Sequence, residues 1–109
     1  MINENWVWQD WKFKAYTLDC NGHVRGNPDL IINTSTEHFE GTAWFNNIPN
    51  GTRVVLQGNN MPHEDHVTIT NNLAEFCVQF PLTETVYAGE LPFVYPSWSF
   101  TRYMIIGIK

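Results

Sequence analysis

Residues that build helices are scarce in this sequence. It holds four alanines and three lysines. No window reads as a sustained i, i+3, i+4, i+7 apolar pattern between caps, so a helical bundle is not expected. Positive charge is scarce as well. Lys12, Lys14, Arg25, Arg53, Arg102 and Lys109 are the whole supply, scattered against eleven acids for a net charge of −5. Neutralising phosphates takes a clustered basic footprint, which argues against nucleic acid as a partner and, for the same reason, against an anionic membrane surface. Long apolar runs are missing. Met104-Ile105-Ile106 falls far short of the ~20 residues a membrane helix needs. Met1-Ile2-Asn3-Glu4-Asn5 shows no basic region leading into an apolar one, so no signal peptide is expected and synthesis in the cytoplasm is. Cys20 and Cys77 cannot define a disulfide framework, and a reducing compartment keeps both as thiols.

The motifs of common catalytic sites are also missing. There is no G-x-S-x-G elbow, no G-x-G-x-x-G and no P-loop lysine. Glu37 and Glu40 form an acid pair, but such pairs are generic and so short a chain leaves little room for a deep glycosidase cleft. Cys20-x-x-His23 resembles half of a zinc knuckle whose other half is absent, since Cys77 has no Cys or His close by. The expectation is a protein that is not an enzyme and needs no cofactor.

What the chain does have is aromatic and β-branched residues. Five Trp, seven Phe and four Tyr bring the aromatic share to 15%, more than one small core usually needs. Turn signals recur at roughly ten-residue spacing, the pattern of a sandwich or small barrel. The length fits one domain over 1–109. The expected fold is all-β: an antiparallel β-sandwich of about eight short strands, with a small β-barrel as the alternative. Strands are expected over 6–18, 23–25, 30–34, 39–45, 52–57, 67–70, 73–80, 83–88 and 97–108. Asn21-Gly22 and Ile48-Pro49-Asn50-Gly51 mark turns. Residues 91–96 read as an extended loop, because two prolines remove ladder donors.

Two constellations stand out as candidate sites. The first is the surplus of large aromatics: Trp6, Trp8, Trp44, Phe93, Tyr95 and Trp98. Trp and Tyr anchor protein interfaces. They point to an assembly or binding protein that docks to itself or to a larger complex, a capsid decoration or tail protein of a virus particle being one concrete version. Flat aromatic faces also stack on sugars, so a carbohydrate-binding module over Trp44, Tyr95 and Trp98 is the alternative. The second constellation is His63-Glu64-Asp65-His66. Imidazole and carboxylate suit a divalent metal. A small metal-dependent enzyme using His63, Glu64 and His66 is a further alternative, which needs a third ligand such as His23 or His38 brought near by the fold.

Overall fold

The computed structural model describes Thr17, residues 19–22 and residues 26–109. The strands expected over 6–18 and 23–25 lie outside these residues, apart from Thr17, which is in no strand. The described chain folds into one mixed four-stranded sheet with short helices. The strands are β1 (Leu30–Asn33), β2 (Arg53–Asn59), β3 (Glu84–Val94) and β4 (Ser99–Ile108). Their spatial order is β1-β2-β4-β3, with β1 parallel to β2 and the other neighbours antiparallel. The sheet is open, so it is not a barrel. The eight-stranded antiparallel sandwich is likewise not found among the described residues.

The missing strands have identifiable reasons. Residues 73–80 form a helix, α2 (Leu73–Gln79), not a strand. Alternation of Ala74, Phe76, Val78 and Phe80 mimics a strand, but Leu73, Phe76, Cys77 and Phe80 hold the i, i+3, i+4, i+7 spacing that wins. All four pack in or against the core, while Val78 is 79% exposed. The cap signals were also present. The Asn72 side chain accepts the Glu75 backbone N–H at 2.9 Å, and the Glu75 carboxylate accepts that of Asn71 at 2.8 Å. This is close to a capping box, which satisfies donors that the first helical turn leaves orphaned. Residues 39–45 do not form a strand either. Gly41 takes φ +71°, and the chain enters a single-turn helix, α1 (Ala43–Asn46). Residues 67–70 run as a loop bonded to the Glu37 backbone.

Helix α1 is held at both ends by distant residues. The Asn21 side chain accepts the Trp44 backbone N–H, and the Asn21 carbonyl accepts from the Asn47 side chain. The turn there closes through Gly22 N–H to Asp19 oxygen, one residue earlier than an Asn-Gly hairpin would place it. At the other end the Lys109 ammonium donates to the carbonyls of Asn46 and Ile48, at 3.1 and 2.6 Å. A cation there satisfies orphaned carbonyls and the helix dipole together. Lys109→Ala is therefore expected to lower stability by about 1 kcal/mol, read as a fall in the urea midpoint without a change in slope. The turn at Pro49–Thr52 forms as the sequence indicates, with Gly51 at φ +91° and Thr52 N–H bonded to Pro49 oxygen. It joins α1 to β2 rather than two strands.

The two faces of the sheet differ. Residues opposite one another in adjacent strands share a face, which places Val54 and Leu56 of β2 with Tyr103 and Ile105 of β4. These four form the core with Trp44, Phe45 and Ile48 from the α1 region and Phe76 and Phe80 from the α2 region. Both helices thus cover the same face.

Candidate functional site

Neither α1 nor α2 lies on the opposite face, and its register can be followed row by row. Ile32, Val55, Ile106 and Tyr87 form one apolar row across all four strands. Gln57, Met104 and Gly89 make the next, with the Tyr87 ring folded against Gly89 where a side chain would otherwise stand. Arg102 pairs with Leu91, and Phe100 with Phe93. The last row is Tyr95 and Trp98, where the Tyr95 N–H donates to the Trp98 carbonyl at 2.8 Å and closes a hairpin over Pro96-Ser97. Ile32 is 62% exposed, Leu91 59%, Trp98 50% and Tyr95 44%. A shallow groove of about 440 Å³, lined in part by Gln57, Tyr87, Leu91, Phe93, Arg102 and Met104, runs along this side.

At the hairpin the aromatics form a continuous stack. Tyr95 lies on Trp98 with centroids 4.5 Å apart, and Trp98 on Phe100 at 5.5 Å. Phe100 lies on Phe93 at 5.0 Å, with the rings tilted by only 9°. The Arg102 guanidinium sits 5.6 Å from the ring centroids of both Phe93 and Phe100. Such stacking and cation–π contact fix the rings in place before any partner arrives. Presenting rigid apolar surface keeps the entropic cost of docking low.

Phe93, Tyr95 and Trp98 are therefore brought together. Residues 91–94, expected in a loop, are instead the end of β3, which is an edge strand among the described residues. Tyr95, Phe93 and Leu91 follow the alternation set by the closing pair, so their N–H groups turn toward β4. Pro92 falls where an N–H would point away from the sheet, the position an edge strand tolerates. Trp44 does not join them. It is 3% exposed in the core, packed on Phe39 and Phe80, and is no surface anchor. Trp6 and Trp8 lie outside the described residues.

The histidine loop is also rearranged. His66 is brought beside Glu37 and His38, whose ligand-capable atoms all lie within 4.8 Å of one another. His63 and Glu64 are not in that group. The His63 Nδ1 accepts the Asp65 backbone N–H at 3.1 Å, and Glu64 is exposed. Glu37 is buried and Glu40 exposed, so the pair makes no dyad across a cleft. Cys20 and Cys77 are both free thiols. His23 lies outside the described residues. No helix among the described residues is long and apolar enough to cross a membrane. No protein-family model matches the chain, and no curated protein and no solved structure matches it.

Proposed function

We propose that this is a non-enzymatic assembly module that docks through the face of its sheet opposite α1 and α2 and the aromatic hairpin, and that the first partner is a second copy of the chain. One observation carries the reading: the stacked Phe93, Tyr95, Trp98 and Phe100 lie on the same sheet face as an apolar row, Ile32, Val55, Ile106 and Tyr87, that crosses all four strands. A sheet with one apolar face left uncovered by the described residues gains by burying it against another layer. Two such faces stack about 10 Å apart, and a two-fold axis uses the same patch on both copies. In this reading a second copy supplies the other layer of the sheet-on-sheet packing.

Side-chain docking is favoured over strand addition at β3. That edge carries Glu84 and Glu90, lacks the Pro92 N–H, and is bulged between Thr85 and Tyr87. Charges, proline and bulges are the devices that blunt an edge against pairing. A sugar platform is not favoured, because Trp44 is in the core and the flat faces of Tyr95 and Trp98 lie on each other.

The test is sedimentation velocity on the unaltered protein and on Tyr95→Ser/Trp98→Ser. Both side chains are half-exposed, so the variant should fold. The unaltered protein is expected to sediment as an oligomer and the variant as monomer. An oligomer that persists in the variant would contradict the reading.

A further inference from the structure

We infer that Glu37, His38 and His66 form a binding site for a divalent first-row transition ion, of which zinc is the best fit. This goes beyond the docking reading and does not depend on it. The donor set is two imidazole nitrogens and a carboxylate oxygen. That combination suits zinc, cobalt or nickel, and it leaves at least one position open.

The three residues come from two segments clasped together. The short 3-10 helix Thr36–His38 supplies Glu37 and His38, and the loop after β2 supplies His66. The Glu37 carbonyl accepts the backbone N–H groups of both Val67 and Thr68, at 2.9 and 3.1 Å. The Thr68 hydroxyl donates to the Phe39 carbonyl at 2.6 Å. These bonds fix the two segments in register, so the three side chains converge by backbone design rather than by chance contact.

Each ligand is also oriented from behind. The His66 Nδ1 lies 2.8 Å from the Met61 carbonyl oxygen. A carbonyl only accepts, so Nδ1 carries the proton and Nε2 keeps its lone pair for an ion. The Glu37 Oε1 accepts from the Asn59 side-chain amide at 3.2 Å. Partners of this kind set the tautomer and orientation of metal ligands. The other oxygen, Oε2, is buried with no hydrogen-bond partner, in a residue only 5% exposed. A buried carboxylate oxygen left unpaired is costly. A cation held by both oxygens of this carboxylate, including the Oε1 that faces His38, removes the cost. The His38 Nε2 is 3.7 Å from the Glu37 Oε1, and the His38 and His66 rings meet edge to face at 4.8 Å. Bonds of 2.0–2.1 Å at tetrahedral angles require ligand atoms about 3.4 Å apart. The half-exposed His38 ring can supply that closure by rotating.

The experiment is isothermal titration of the untagged chain with Zn²⁺, repeated with Co²⁺ to read ligand-field absorption. One ion per chain is expected to bind. His38→Ala removes a half-exposed side chain and should fold, as circular dichroism will show. It should weaken binding by more than the ~10–100-fold expected for Asn59→Ala, which removes only an orienting partner. Glu64→Ala should leave affinity unchanged, because Glu64 is exposed and outside the cluster. No uptake by the unaltered chain would overturn the site. So would His38→Ala binding as tightly as the unaltered chain, or loss of binding in Glu64→Ala.

Discussion

Phe80→Ala is expected to lower stability by about 4 kcal/mol. The side chain is fully buried, and its ring meets Trp44, Phe45 and Phe76 with centroids 5.2–5.4 Å apart. Phe80 ends α2 and touches α1, so it ties both helices to one another before either reaches the sheet. Truncation removes the transfer free energy of a phenyl group and leaves a cavity with three aromatic walls. Two of those walls belong to α1 and one to α2, and both helices are pinned to the sheet, so they cannot all close on the gap. A domain of this size is stable by only about 5–15 kcal/mol, so the loss is a large part of the whole. The check is equilibrium unfolding in urea: a much lower midpoint at nearly constant slope. A loss below about 1.5 kcal/mol, the range of a well-tolerated core swap, would mean that the two helices do not share this contact.

Gly107→Ala should cost about 3 kcal/mol, although it adds a single methyl group. Gly107 sits in the central strand opposite Thr85, just before the bulge in β3. A β-carbon there would collide with the backbone carbonyl of Glu84 and crowd the Leu82 side chain. Backbone cannot swing aside as a flexible side chain does. Relief requires β3 to move away from β4, which strains the bond from Thr83 N–H to Ile108 oxygen. The urea midpoint should fall, and amide exchange should quicken at Glu84 and Thr85 more than at β2. A variant as stable as the parent would show that β3 and β4 do not approach as closely as the register requires.

Much of the sheet was legible. β1, β2 and β4 lie within a residue or two of the segments that composition and turns marked out. The division of β4 into Tyr103 and Ile105 against Phe100, Met104 and Ile106 follows from alternation alone. The helices were hidden because a short helix and a short strand offer too few residues for their periods to separate. In 73–80 an alternation through Phe76 and Phe80 coexists with a helical stripe through the same two residues. The cap at Asn72 and Glu75 was the deciding signal. Trp44 was misplaced for a related reason. One turn of helix buries Trp44, Phe45 and Ile48 in a spacing that a strand reading assigns to both faces. At the candidate sites, Tyr95 and Trp98 stood out as large aromatics in and just after the proline-bearing segment 91–96, although that segment reads as an extended loop rather than the hairpin that pairs them. The meeting of His66 with Glu37 and His38 depends on where the loop after β2 lies against the chain leaving β1. Spacing within either segment does not encode that.

The measurement that bears most directly on the docking account is the native molar mass of the unaltered protein by light scattering across a wide dilution series. Two copies joined through the sheet faces opposite α1 and α2 predict at least twice the 12.7 kDa of one chain, falling toward 12.7 kDa only on dilution. A mass of 12.7 kDa at every concentration would contradict it.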